Sequence, residues 1–148
     1  MSEQDATAPT EQPGGGPLAR SGPIFAALTG LTALAILLQA VFAGEVIAPH
    51  SSGGWLTAHN ANAYVAIALA AITAIYALTA LRRSAPALAI GSTVLALLLI
   101  VQTIIGHAIT ADNDNGLLVI HVPLAMLVFA LTIWLSVRAR TARRAARG

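Results

Sequence analysis

The chain has no cysteine, no lysine, few aromatic residues (5%) and few charges (9%). Each scarcity excludes something. Without cysteine there is no disulfide, no thiolate metal site, no haem attached through Cys-x-x-Cys-His and no cysteine nucleophile. A soluble domain carries about 25% charged residues. A chain of 148 residues that is 57% hydrophobic and 9% charged cannot face water on all sides. The mean hydropathy of +0.77 agrees. No nucleophile–base pair, phosphate loop or His-Glu-x-x-His motif occurs, so no residue reads as catalytic.

What is present is a series of uncharged runs, each about as long as the ~20 residues that cross a bilayer. They predict spans at 24–44, 59–81, 85–110 and 117–137 within a membrane domain over 23–138. Residues 1–22 carry Glu3, Asp5, Glu11, several prolines and Gly14-Gly15-Gly16. That composition cannot bury a core and predicts a disordered tail. Residues 139–148 form a basic tail. Pro49, Gly53 and Gly54 mark the first loop, and Asp112-Asn113-Asp114-Asn115-Gly116 marks a sharp turn. Val41-Phe42-Ala43 before Gly44 resembles a signal cleavage site. The acidic, proline-rich leader is a poor signal segment, so the first run reads as a retained span. The fold class is all-α, an integral-membrane, up-down-up-down four-helix bundle.

The charges give an orientation. Arg20, Arg82, Arg83, Arg138, Arg140, Arg143, Arg144 and Arg147 all fall on one side of the four runs, and Glu45, Asp112 and Asp114 fall on the other. The positive-inside rule then predicts cytoplasmic termini and a plasma-membrane location. The arginines anchor the last span and meet anionic lipid, so the bilayer and not nucleic acid is the expected partner. Trp55 and Trp134 read as interfacial anchors.

The two halves repeat. Leu38-Gln39-Ala40 matches Val101-Gln102-Thr103, Ala58-His59 matches Ile120-His121, and Gln39–His59 and Gln102–His121 are 20 and 19 positions apart. The unit is a hairpin with glutamine late in its first helix and histidine early in its second. All four histidines (His50, His59, His107, His121) lie on the side away from the arginines. An intramembrane histidine usually faces the bundle interior with a partner. In an up-down bundle His59 and His121 stand on diagonal helices whose axes are roughly 12–14 Å apart, given neighbours at 8–10 Å. Two inward imidazoles can then share one metal between them, as a bis-histidine haem requires.

Ala63, Ala66 and Ala125 leave room for a flat macrocycle, and Gln39, Gln102, Asn60 and Asn62 are placed to orient a ring nitrogen or bind another helix. The same small residues suit close helix packing without any cofactor. No arginine on the histidine side can meet propionates, a task left to water, Ser51, Ser52, asparagines or backbone N–H groups. His107 sits about 140° around the helix from Gln102, a structural or rim position. Ser92 and the intramembrane threonines are expected to bond their own helices.

His59 and His121, 62 positions apart at the heads of the second and fourth spans, together with Gln102-x-x-x-Gly106 and Ala43-Gly44, resemble one four-helix half of the heme A synthase family. The resemblance covers about residues 24–138. It implies haem ligation by His59 and His121, in a haem-b module or in a homodimer that rebuilds eight helices. The chain departs from the family at Leu56, where an acidic residue is expected, and in lacking the family's cysteine pair. It is also similar to small four-helix membrane proteins of actinobacteria. The functional expectation is haem b held by His59 and His121, with Gln39 and Gln102 in support, for electron transfer to a membrane redox partner or for haem handling. The alternative is a haem-free scaffold subunit of a larger membrane complex. A transporter fits least, because the spans hold no carboxylate.

Overall fold

A computed structural model describes residues 17–49, 52–112 and 114–145. His50, Ser51, Asn113, Arg147 and the first 16 residues of the tail lie outside the described residues. The described residues form four long helices: α1 (Pro17–Ile47), α2 (Gly53–Ala80), α3 (Pro86–Asp112) and α4 (Leu118–Ala145). A single 3₁₀ turn, Asn115–Leu117, precedes α4. All four are long and apolar enough to cross a membrane, and the protein is a small multi-pass membrane protein.

The helices exceed the uncharged runs at several ends. Helix α1 already includes Pro17, the first described residue, and so reaches into the expected tail. It continues through Pro23 and past Gly44 to Ile47. Helix α2 begins at Gly53, directly after Ser52, a residue type that favours the position before a helix. The Gly53-Gly54 pair therefore opens a helix instead of extending the loop. Helix α4 carries the arginine-rich segment as helix as far as Ala145.

Each helix packs on its sequence neighbours, and α1 closes the ring against α4, while the diagonal pairs α1/α3 and α2/α4 make no close backbone approach. Contacts run antiparallel along each hairpin. Tyr76 donates to the Ser21 carbonyl at the arginine end (3.2 Å), Thr32 meets Thr73 midway (3.4 Å), and Phe42 stacks on Trp55 at the histidine end. The connections are tight. Leu81 N–H bonds Ala77 O and Ala85 N–H bonds Leu81 O, which turns the chain at Arg82-Arg83. Asp114 Oδ1 accepts the Gly116 N–H at 2.9 Å, the Asx turn expected from that cluster.

Packing differs along the bundle axis. Toward the arginine end Phe25, Leu81, Leu88, Leu95 and Leu135 are fully buried or nearly so. Alanines at 66, 70, 74 and 77 line the inner face of α2 and let its neighbours approach closely. Thr29, Thr73, Ser92 and Thr132 are buried and bond the carbonyl four residues earlier in their own helices, as expected. Toward the histidine end many large side chains, such as Leu37, Val122 and Met126, are exposed, and the interior is hollow.

Candidate functional site

The hollow is a cavity of about 320 Å³ enclosed by all four helices. Its walls come from Ile36 to Ala43 of α1, His59 to Ala66 of α2, Leu99 to His107 of α3 and His121 to Phe129 of α4. Small side chains make the space: Ala40, Ala43, Ala63, Ala66, Gly106 and Ala125 all line it. Its polar lining comes from the three intramembrane histidines, Gln39, Gln102, Asn60 and Thr103.

His59 lies six residues into α2, about 9 Å below its start at 1.5 Å per residue, and not at its head. Its Nδ1 is 3.2 Å from the Gln39 main-chain carbonyl. A carbonyl only accepts, so Nδ1 carries the proton and Nε2 keeps a free lone pair. The Gln39 side chain is held separately. Asn62 donates to Gln39 Oε1 at 2.7 Å and to Ala35 O at 2.8 Å, tying α2 to α1. Gln39 thus orients the histidine through its backbone, while its amide binds a neighbouring helix.

His121 lies on α4 one turn after the 3₁₀ segment, and its ring faces α3. Gly106 makes this possible: a Cβ there would stand 3.1 Å from His121 Cε1. Gln102 is buried and donates its Nε2 to the His121 main-chain carbonyl at 2.8 Å. Its Oε1 and the Nδ1 of His121 are both buried without a hydrogen-bond partner. His59 and His121 both line the cavity. The diagonal pair expected from the repeat therefore faces one cavity.

His107 is anchored on both sides. Its Nδ1–H donates to Thr103 O at 2.9 Å, so Nε2 accepts from the Tyr64 hydroxyl at 3.3 Å. The Tyr64 and His107 rings lie 5.9 Å apart. His107 is a rim residue that joins α2 to α3. Tyr64 and Thr103 were not singled out in the sequence. His107 uses the main-chain carbonyl of Thr103, which any residue there would supply, and nothing in the sequence marks Tyr64.

Among the described residues no three His, Cys, Asp or Glu side chains group to hold a metal ion. The protein offers two imidazole donors across the cavity, too few for a four-ligand structural zinc site. A metal that brings most of its own ligands matches that donor set. No family model, curated protein or solved structure matches the chain.

Proposed function

We propose that the cavity is a haem b site in which His59 and His121 would hold the iron, and that the protein serves electron transfer or haem handling in a bacterial plasma membrane. The observation that carries this reading is the meeting of two histidines from diagonal helices on one alanine-lined cavity, with His59 already locked through Nδ1. Ligating histidines almost always donate their second nitrogen to a carbonyl, carboxylate or water, as His59 does to Gln39. The orphaned pair in the other hairpin fits the same logic. Gln102 Oε1 is an acceptor, His121 Nδ1 is a ring nitrogen able to donate, and both lack partners. The two atoms are not bonded to each other, and a turn of either side chain on ligand binding would let Gln102 serve His121 as the Gln39 carbonyl serves His59.

When bound, the haem would supply the redox centre. The chain's own part is to fix two neutral imidazoles, to exclude water with apolar walls and to offer Asn60 as a polar group on the lining. Low polarity and histidine ligation are two of the levers by which proteins set haem chemistry. The one-sided arginines support cytoplasmic termini, with the cavity in the outer half of the bilayer.

The test is an absorption spectrum of the detergent-purified protein from haem-supplemented cells, oxidised and then reduced. A Soret band that His59→Ala removes is the expected result. A colourless wild-type protein, or a band that survives His59→Ala unchanged, sinks the proposal. A colourless protein that always purifies inside a larger complex would favour the scaffold reading instead.

A further inference from the structure

The four seams between neighbouring helices are not equally closed at the level of the cavity. The α1–α2 seam is bridged by His59 to Gln39 and by Asn62 to Gln39 and Ala35. The α2–α3 seam is bridged by Tyr64 and His107, and the α3–α4 seam by Gln102 and His121. Among the described residues no hydrogen bond joins α1 to α4 anywhere along their length. At the arginine end the Arg143 side chain packs on Gly22 and shuts that seam. At the cavity nothing equivalent occurs.

Exposure follows the same division. On the α2–α3 side Ala66 and Leu99 are 1% and 6% exposed, and the surface cleft outside that seam, which shares the polar Thr103 and His107 with the cavity, is crossed by the Tyr64–His107 hydrogen bond. On the α1–α4 side Leu37 (51%), Val122 (52%) and Met126 (70%) line the cavity and also face outward. A residue that borders a cavity and the outer surface together is the edge of an opening. At the histidine end, Phe42 stacked on Trp55 lies between the α1–α2 side of the cavity and the first loop.

We infer that the cavity opens sideways into the bilayer core through the α1–α4 seam, and that its ligand is an apolar molecule dissolved in lipid that passes between Leu37 and Met126. This rests on the cavity of the proposed haem site and concerns its apolar route of entry, by which the macrocycle of an amphipathic haem would also pass, but its test needs no haem. Neither Leu37 nor Met126 is branched at Cβ, so both swing aside at little cost, Met above all. Water meets no polar path through that seam, since Leu37, Ala40, Val122 and Met126 are all apolar. Ligand capture then depends on partitioning into the membrane, not on the aqueous concentration.

The absence of cysteine makes a clean test. In liposomes, the Ala63→Cys protein carries one thiol on the cavity wall. It should react with a lipid-soluble N-alkyl maleimide and be spared by a charged sulfonated maleimide, while Gly53→Cys, at the exposed start of α2, reacts with the charged reagent. Adding Ala40→Trp and Met126→Trp should slow the apolar reaction about ten-fold, a barrier change of about 1.4 kcal/mol. Ile72→Trp and Ile75→Trp, on the outward face of α2, should leave it unchanged. Leu37→Ala with Met126→Ala should speed it.

Equal labelling by the charged reagent, or seam tryptophans no different from those at Ile72 and Ile75, overturns the inference. Should the tryptophans disturb the bundle, the alanine pair decides, and no acceleration overturns it. Seam behaviour in a protein that never binds haem defeats only the haem reading. Haem binding with an inert seam defeats only this one.

Discussion

In the first hairpin Gln39 meets His59 through the glutamine's main chain and the histidine's side chain; in the second, Gln102 meets His121 through the glutamine's side chain and the histidine's main chain. The same two residue types, at nearly the same spacing, make the same inter-helix contact with backbone and side chain exchanged. The reason lies next door. Asn62 occupies the Gln39 amide in the first hairpin, whereas the matching position 62 residues on is Leu124, which offers nothing to Gln102. Four residues after the glutamines stand Ala43 and Gly106. Only the glycine gives an imidazole room to lie against the helix. A repeat can therefore preserve residues while dividing their tasks: one hairpin holds a locked ring, the other a ring with an unspent nitrogen.

Removing each ring should break this asymmetry most visibly. His59→Ala is expected to abolish the Soret band, whereas His121→Ala should leave a weaker complex with a shifted band. Equal losses would show that the lock on His59 does not matter. Next come the glutamines. Gln102→Leu should weaken haem affinity about 10–100-fold, the usual effect of losing a partner behind a ligand. Gln39→Leu should do much less, because His59 uses a carbonyl that any residue supplies; a haem titration of both variants decides.

Smaller effects sharpen the contrast. Gly106→Ala pushes on the His121 ring and should cost about 1 kcal/mol, the price of an off-rotamer side chain, read as a several-fold lower affinity. Gly44→Ala, with nothing within 4 Å of its new Cβ, should be silent in the same titration. Asn62→Leu should lower bundle stability in detergent unfolding by about 0.6–1.7 kcal/mol, the range measured for hydrogen bonds between membrane helices. Tyr64→Phe should lie at or below the bottom of that range, because its hydroxyl bonds His107 on the exposed rim.

A further difference concerns α4. In its most apolar stretch only 11% is buried, against 33% for α2 and for α3. A helix with so little buried face is the one most easily moved, which agrees with placing the opening on its seam with α1. Its partners there are side chains, not hydrogen bonds.

Much of the fold was legible because apolar runs and charge placement are local properties. The spans, the turn at Asp114 and the back-bonded threonines needed no knowledge of neighbours. Helix ends were less legible: Gly53 read as a breaker and proved to be a helix start, since the first turn needs no N–H partners. His59 consequently lies six residues into α2 and not at its head. Within the site, the facing of His59 and His121 on one cavity was readable from spacing, whereas His107, expected on a face away from Gln102, shares the cavity wall with it. The contact of Gly106 with His121, the Asn62 bridge and the Tyr64–His107 bond were not readable, because each depends on which faces of two distant helices meet.

By itself the sequence determined that this chain crosses a membrane as four helices and gathers its histidines at one end, since burial in lipid tolerates only apolar, internally bonded segments. Only the tertiary structure decided that the other end packs solid while the histidine end stays hollow. The cause is additive along the axis: leucine and phenylalanine meet at one level, and alanine and glycine from all four helices meet at the other. No single helix carries that coincidence, so no single stretch of sequence displays it.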